Sequence, residues 1–203
     1  MQAFNCPDGI AQCAAIVKKG GVIIFPTDTV YGIGCDPFDD AAVGMIFSIK
    51  GRNEDKPLPV LVSGISAAAE LVDLGKTGRL LASRFWPGAL TLVAPLVDRR
   101  ISGRVAAGLG SLAVRVPANE CALALLKQCR YIVGTSANRS GEKPCKTAQQ
   151  VMESRLEGYD ALLADSRTLI GTASTIVDIT GPKPTIARQG AIAESEINAI
   201  LGL

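Results

Sequence analysis

Histidine is absent from this 203-residue chain, and none of its six cysteines forms a C-x-x-C pair. Zinc sites are built mainly from imidazoles and closely spaced thiolates, so we expect no protein-bound zinc or other transition metal. The chain also shows no obvious nucleophile. Any chemistry that it performs should therefore depend on binding, positioning and charge.

Aromatic residues make up only 4% of the chain, so its core must be built from aliphatic side chains. No apolar run approaches the roughly 20 residues of a membrane span, and no N-terminal signal pattern is present. The net charge is only +2, from 21 basic and 19 acidic residues, which does not by itself indicate a nucleic-acid partner. We therefore expect a soluble protein with no membrane contact.

The remaining composition is that of a globular protein. With 48% hydrophobic residues the chain can bury a sizeable core, and we predict a single domain spanning residues 1–203. A disulfide framework is not expected in a chain with this much core-forming sequence. We interpret Cys13, Cys121 and Cys129 as small core residues and the compartment as the reducing cytoplasm.

Short strands and helices alternate irregularly along the chain. The apolar spacing of Ile10 to Val17 predicts a helix capped by Asp8, and residues 22–25 form a buried strand. Asp39 or Asp40 caps a second helix, which places Lys50 at its C-terminal end with Gly51 just beyond. This order favours an α/β fold of the α+β type, in which helices pack on one twisted mixed sheet.

The polar loop that follows the first apolar strand is the most informative segment. It reads Phe25-Pro-Thr-Asp-Thr-Val-Tyr-Gly-Ile-Gly34 and combines hydroxyl groups, one carboxylate and two glycines. A strand that leads into such a loop is a common way of building a binding site in α/β proteins. Tyr31 could equally be a core residue with a satisfied hydroxyl group.

Two further segments carry similar side chains. Lys50, Arg52 and Lys56 place three cations on one short loop, which suits a polyphosphate, although cations at a helix end also interact favourably with the helix dipole. Ser136-Ala-Asn138 follows another predicted strand, and the alternative there is a plain turn. Gly75-Lys-Thr77 has the ending of a P-loop but lacks its first glycine, so that motif fails.

Taken in order, these segments resemble the YrdC/Sua5 family, the L-threonylcarbamoyladenylate synthases of tRNA threonylcarbamoyladenosine (t6A) biosynthesis. The resemblance runs from about residue 17 to residue 190. The segments that carry it are residues 25–36, Lys50-Gly-Arg52, Lys56-Pro-Leu-Pro59, Ser136-Ala-Asn-Arg-Ser-Gly141, Ser174-Thr-Ile-Val-Asp178 and Arg188-Gln-Gly190.

The resemblance implies a mixed sheet with a concave basic face, and a reaction that converts ATP, L-threonine and bicarbonate into threonylcarbamoyl-AMP and pyrophosphate. It implies Mg²⁺ on the ATP phosphates and a downstream tRNA threonylcarbamoyltransferase complex. The implied catalytic residues are Lys50, Arg52, Ser136 and Asn138. The implied ATP-binding residues are Arg52, Lys56, Ser111, Thr135, Lys143 and Arg188. The implied threonine-binding residues are Thr29, Tyr31, Arg115 and Ser174.

The chain departs from the family pattern at two positions: Gln189 replaces a common proline, and Leu61 stands where some members place a histidine. It resembles the short form without the C-terminal Sua5 domain. The alternatives are a YciO-like paralogue that acts on a related adenylate and a double-stranded RNA-binding module that uses the basic concave face. Hydrogenase maturation factors share the domain but carry zinc modules, which this chain lacks.

Overall fold

The computed structural model describes residues 2–167 and 169–202. Its strands are β1 (Gln2–Asn5), β2 (Ile23–Phe25), β3 (Gly32–Gly34), β4 (Val60–Val62), β5 (Leu90–Pro95), β6 (Ser111–Arg115), β7 (Tyr131–Val133), β8 (Thr135–Ser136), β9 (Ala161–Ala164), β10 (Thr175–Asp178) and β11 (Thr185–Arg188). Its helices are α1 (Ile10–Lys18), α2 (Asp40–Lys50), α3 (Ile65–Leu71), α4 (Gly75–Phe85), α5 (Gly103–Ala106), α6 (Glu120–Cys129), α7 (Ala148–Glu153) and α8 (Glu194–Leu201).

The strands form two mixed sheets, in the orders β1-β9-β2-β3-β8 and β11-β10-β5-β6-β4-β7. In the first sheet β1, β9 and β2 are parallel, and β3 and β8 run antiparallel to their neighbours. In the second, β10 is parallel to β5 and β4 is parallel to β6, while the remaining pairs are antiparallel. The mixed α/β class is confirmed, but the prediction of one sheet is wrong.

The division into two sheets occurs where β7 passes into β8. The amide of Gly134 donates to Pro59 O at 2.9 Å, and the next residues pair with β3 of the other sheet. The two sheets approach closely here, because a Cβ atom on Gly34 would collide with the carbonyl oxygen of Val133. Glycine at position 34 therefore permits the contact that places the β8 loop beside β3.

The first two helices form largely as their sequences predict. Four apolar side chains of α1 are buried, namely Ile10, Cys13, Ala14 and Val17. The predicted cap at Asp8 is wrong, because Gly9 occupies the N-cap without a side-chain bond. In α2 the carboxylate of Asp39 accepts from two main-chain amides at 3.0 Å, and Gly51 ends the helix with φ of +56°. These local signals fix the position of Lys50 at the end of α2.

A disulfide bond joins Cys6 to Cys121, with their Cα atoms 6.1 Å apart, so the expectation of no disulfide is wrong. Cys6 follows β1, and its amide donates to Ala164 O at 2.8 Å, which brings it to the first turn of α6. The sequence does not reveal this contact, because the two cysteines are 115 residues apart. The composition argument for a reducing compartment is weakened accordingly. None of the helices that the structure describes has the length and apolar character to cross a membrane.

Candidate active site

Lys50 joins the C-terminal end of α2 to the loop after β8. Its side chain is only 2% exposed, and its Nζ atom donates to the carbonyl oxygens of Ser136 and, at 2.7 Å, of Asn138. The carbonyl oxygen of Lys50 in turn accepts from the amide of Ser140 at 2.8 Å. The structure therefore brings together two segments that are about 86 residues apart in sequence. It does so through main-chain carbonyl groups, which leaves the Ser136 hydroxyl free of this contact.

The ammonium group of Lys50 forms no ion pair with a carboxylate in the part of the chain that the structure describes. Burial, reinforced by the positive charge of Arg52, lowers the pKa of Lys50 to about 8. The charged form therefore predominates at pH 7 and becomes the minority form above about pH 8. An unneutralised ammonium group in a buried position is well suited to receive a negatively charged ligand.

The two polar atoms of the Asn138 side chain differ in their hydrogen bonding. Its Nδ2 atom donates to the carbonyl oxygens of Arg139 at 2.8 Å and Glu142 at 2.9 Å. Its Oδ1 atom is buried and has no hydrogen-bond partner among residues 2–167 and 169–202. Most buried polar atoms are satisfied, and an amide oxygen can only accept, so this atom calls for a ligand N–H or O–H group or a cation.

The three predicted cations, Lys50 at the end of α2 and Arg52 and Lys56 in the Gly51–Pro57 loop, lie in different environments. Arg52 folds back on the loop, with Nε 3.4 Å from Lys56 O and Nη2 3.0 Å from Pro57 O. Burial lowers the pKa of Arg52, and the nearby charge of Asp55 partly opposes this effect. Lys56 itself is exposed. Lys50 is thus buried, Arg52 is half-buried and Lys56 is exposed.

A second cluster forms around Arg115 at the end of β6. Its Nη2 atom donates to Asp28 Oδ1 at 2.6 Å, its Nη1 atom donates to Thr29 Oγ1 at 3.1 Å, and its Nε atom donates to Gly88 O at 2.9 Å. Asp28 Oδ1 also accepts from the amide of Ala118 at 3.0 Å. Three of the five guanidinium N–H groups are used in this way, and the other two have no hydrogen-bond partner in the described part of the chain.

The Asp28–Arg115 ion pair was not predicted from the sequence. Both side chains are buried, at 10% and 7% exposure, and burial lowers the pKa of Arg115 while Asp28 opposes that shift. The signal was present, since Asp28 is the one carboxylate of the loop after β2, but its partner lies 87 residues away. Arg115 is consequently neutralised within the protein, unlike Lys50.

Ser174 extends this cluster toward β11. Its Oγ atom lies 2.8 Å from Thr91 Oγ1, and Arg188 Nη2 donates to its carbonyl oxygen at 2.8 Å and its hydroxyl oxygen at 3.2 Å. Partial desolvation, together with the positive charge of Arg115, lowers the pKa of Arg188. The residues implied for threonine and for ATP therefore adjoin at Ser174. Sequence reasoning missed Thr91, although a buried threonine within an apolar strand was a usable signal.

Tyr31 lies in the hydrophobic core. It is fully buried, its hydroxyl group donates to Asp165 O at 3.2 Å, and the same oxygen accepts from the amide of Asp165 at 2.9 Å. Its only O–H hydrogen is therefore committed to the main chain. The hydroxyl group of Tyr31 is thus satisfied in the core, as the alternative interpretation describes, and the assignment of Tyr31 to threonine binding stays a prediction.

Three of the implied ATP-binding residues form no side-chain hydrogen bond to the Lys50 and Asn138 groups in the described structure. Thr135 is half-buried in β8 and pairs with β3. Ser111 begins β6, about 13 Å along the strand from Arg115 at the usual rise per residue. Lys143 is exposed and lines a cleft of about 520 Å³ together with Lys146 and Gly171. These three assignments stay predictions.

The two departures from the family pattern have local explanations. Leu61 is 3% exposed and belongs to the apolar cluster between β4, α1 and α6, so it contributes packing rather than a polar contact. Gln189 donates through Nε2 to Ile192 O at 2.6 Å and to Gly190 O at 3.2 Å. It thereby bonds to the segment that follows β11.

Comparison with known proteins gives consistent relatives. The profile of the Sua5/YciO/YrdC family, described as telomere recombination, matches residues 15–190. The threonylcarbamoyl-AMP synthase of Bacillus subtilis is 39% identical over 196 residues, which cover 95% of this chain and 56% of that protein. The chain thus spans little more than half the length of this relative.

Solved structures show the same fold. P. abyssi Sua5 complexed with L-threonine superimposes with a TM-score of 0.92 at 33% identity, covering 99% of this chain and 60% of that one. E. coli YciO superimposes with a TM-score of 0.83 at 25% identity, covering 95% and 97%. The threonine-bound structure is the more similar of these two.

Proposed function

The chain belongs to the Sua5/YciO/YrdC family, and on this premise we propose that it synthesises L-threonylcarbamoyl-AMP and pyrophosphate from L-threonine, bicarbonate and ATP. The observation that carries the proposal is the pairing of a buried, unneutralised Lys50 with the unpartnered Oδ1 atom of Asn138. The ammonium group of Lys50 is suited to bind an anion, and Oδ1 of Asn138 is suited to accept a hydrogen bond or to contact a cation. A nucleotide with its phosphates and bound metal supplies both.

We propose that the amino acid binds at the Arg115 cluster. The two unused guanidinium N–H groups of Arg115 would receive the threonine carboxylate. Thr29 and Ser174 provide hydroxyl groups beside Arg115 and Arg188, and these are suited to the substrate amine and hydroxyl. Thr91 supports Ser174 through their hydroxyl contact of 2.8 Å.

The proposed chemistry proceeds in two steps. The threonine amine adds to the carbon supplied by bicarbonate, which gives a carbamate and water. A carbamate oxygen then attacks the α-phosphorus of ATP, the bond between the α-phosphorus and its bridging oxygen breaks, and pyrophosphate leaves with that oxygen. Such a transfer depends on positioning and on positive charge near the phosphates, which Lys50, Arg52, Lys56 and Arg188 would supply. Ser136 would contribute its hydroxyl beside them.

We propose that Mg²⁺ binds at this site mainly through the phosphate oxygens of ATP. No cluster of three or more acidic, cysteine or histidine side chains suited to a metal occurs among residues 2–167 and 169–202. Among the buried side-chain oxygens that the structure describes, Oδ1 of Asn138 has no hydrogen-bond partner, and an amide oxygen is an acceptable Mg²⁺ ligand. We propose that Asn138 contacts the ion directly or through water, while the phosphates provide most of its coordination and the ion offsets their charge.

The product is an activated acyl adenylate, so an acyl-accepting reaction must consume it. We propose that a tRNA threonylcarbamoyltransferase complex is this consumer, in t6A formation in the cytoplasm. Direct contact between RNA and a basic face of this protein belongs to the same proposal. It is supported only by the exposed Lys56 and the half-buried Arg52 of the loop after α2.

The test is pyrophosphate release by the purified protein, with threonylcarbamoyl-AMP identified by mass spectrometry. Release should require ATP, threonine, bicarbonate and Mg²⁺ together, and Arg52→Ala should nearly abolish it because a charge-assisted bond to phosphate is lost. Arg79→Ala, which removes an exposed arginine of α4, is the matched control and should retain activity.

Release that does not depend on threonine would contradict the proposal and favour a YciO-like paralogue with another substrate. A protein that binds double-stranded RNA but releases no pyrophosphate would favour the RNA-binding alternative. Wild-type turnover by a folded Arg52→Ala protein would contradict the role assigned to that residue.

A further inference from the structure

Arg104 of α5 lies across α2 and connects its beginning to the loop after its end. Its Nε atom is 3.3 Å from Asp40 Oδ2, and its Nη1 atom is 3.5 Å from Glu54 Oε1. It crosses the helix at Gly44, where a Cβ atom would collide with Nη1. Glycine is unfavourable in a helix interior, so α2 carries this residue where the guanidinium group needs the space.

The helix α5, which carries Arg104, is hydrogen-bonded to two neighbouring segments. Ser102, the N-cap of α5, donates from Oγ to Asp40 Oδ1 at 2.6 Å. Val105 O accepts from the amide of Leu58 at 2.9 Å, immediately after the loop. The short helix α5 is therefore bonded to the start of α2 and to the far end of the Gly51–Pro57 loop. Arg104 adds a third connection, to the middle of that loop.

The residue that Arg104 holds, Glu54, is one of two carboxylates in the Gly51–Pro57 loop; the other is Asp55. Glu54 lies between Arg52 and Lys56, which we propose for phosphate binding. A released Glu54 carboxylate would add to the negative charge of Asp55, would repel phosphate groups and would compete for the guanidinium group of Arg52. In the described residues that guanidinium group donates hydrogen bonds to main-chain oxygens of its own loop. The pair is partly exposed, at 41% for Arg104 and 57% for Glu54, so its effect should be modest and sensitive to salt.

We propose that Arg104 is a positioning residue that holds the Glu54 carboxylate against α2 and so keeps Arg52 and Lys56 available to a nucleoside triphosphate. This inference rests on the proposed function of the loop. It assigns no contact between Arg104 and substrate. Its effect should therefore fall on nucleotide affinity rather than on the rate of the chemical step.

The primary experiment measures the affinity for a non-hydrolysable ATP analogue with Mg²⁺ by calorimetry. Arg104→Ala should weaken binding about three- to fivefold at low ionic strength, and about 0.5 M salt should shrink the difference. In the Arg104→Ala/Glu54→Gln double variant, affinity should return to within about twofold of wild type, because the released carboxylate is gone. Arg79→Ala should bind like wild type. Wild-type affinity in Arg104→Ala, or a double variant as impaired as Arg104→Ala, would overturn the proposal.

Gly44→Ala provides a second route to the same displacement without removing a charge. Its new methyl group should push the Arg104 guanidinium aside while improving helix propensity, so affinity should fall with no decrease in Tm. Wild-type affinity in this variant would also overturn the proposal.

Hydrogen exchange separates this inference from the proposed function. Loss of Arg104 should raise amide exchange across residues 51–58, whatever reaction the protein catalyses. A wild-type protein that releases no pyrophosphate would refute the proposed function alone. Unchanged exchange in Arg104→Ala would refute the positioning role alone.

Discussion

Replacing Asp28 by alanine should destabilise the protein strongly, because the change leaves Arg115 buried without a counter-charge. The two side chains are 2.6 Å apart and at most 10% exposed. Breaking a buried ion pair from one side typically costs about 3–5 kcal/mol. The Ala118 amide also loses its acceptor in this variant. Against a usual total of about 5–15 kcal/mol, this is a large share of the stability.

The assay is urea and thermal unfolding followed by circular dichroism at pH 7. With an unfolding entropy of about 2.1 cal/mol/K per residue, this loss corresponds to a decrease in Tm of about 7 to 12 °C. The matched control is Glu120→Ala, which breaks the exposed pair with Arg167 and should cost less than about 1 kcal/mol. The loss in Asp28→Ala should persist in high salt, because buried charges are poorly screened.

A double variant tests the stated cause. Arg115→Met in the Asp28→Ala background removes the uncompensated charge, so it should recover part of the lost stability. The reasoning is refuted if Asp28→Ala costs no more than Glu120→Ala. It is equally refuted if the double variant is less stable than Asp28→Ala.

Three further predictions concern Lys50, the amino-acid cluster and the disulfide. Because the pKa of Lys50 lies near 8, pyrophosphate release should fall above about pH 8. The pKa of Lys50 is lower in the folded state than its value of 10.5 in the unfolded state, so between about pH 8 and pH 10.5 the unfolded state binds one more proton. The free energy of unfolding should therefore rise over this range. Denaturation measured as a function of pH should no longer show that rise in Lys50→Met. Threonine should be preferred over valine by more than the roughly 10–200-fold that size alone provides, measured as relative kcat/KM. Equal rates would contradict the proposal that Thr29 and Ser174 bind the substrate hydroxyl. Cys6→Ser should lower stability by up to about 4 kcal/mol without reductant and should have little effect with it, since the bond to Cys121 closes a long loop; equal losses under both conditions would contradict this account.

Helices and strands specified by neighbouring residues could be predicted from the sequence, although their end residues were not always correct. The helix that ends at Lys50 is specified by Asp39 at its start and Gly51 at its end, and both signals act within a few residues. The burial of the inner face of α1 follows from its apolar spacing in the same way. Strands β1, β3 and β8 were not predicted, because they contain polar residues or glycines in place of the continuous apolar run that marks the equally short strands β2 and β4.

The sequence alone therefore determined which segments carry polar chemistry: the loop after β2, the cationic loop after α2 and the loop after β8. The tertiary structure decided which side chains meet. Lys50 contacts Asn138 across 88 residues, Arg115 pairs with Asp28 across 87, and Ser174 contacts Thr91 across 83. Such contacts depend on strand order and register, which local patterns do not encode. Burial then decides their consequences, since it lowers the pKa of Lys50 and encloses the ion pair between Asp28 and Arg115.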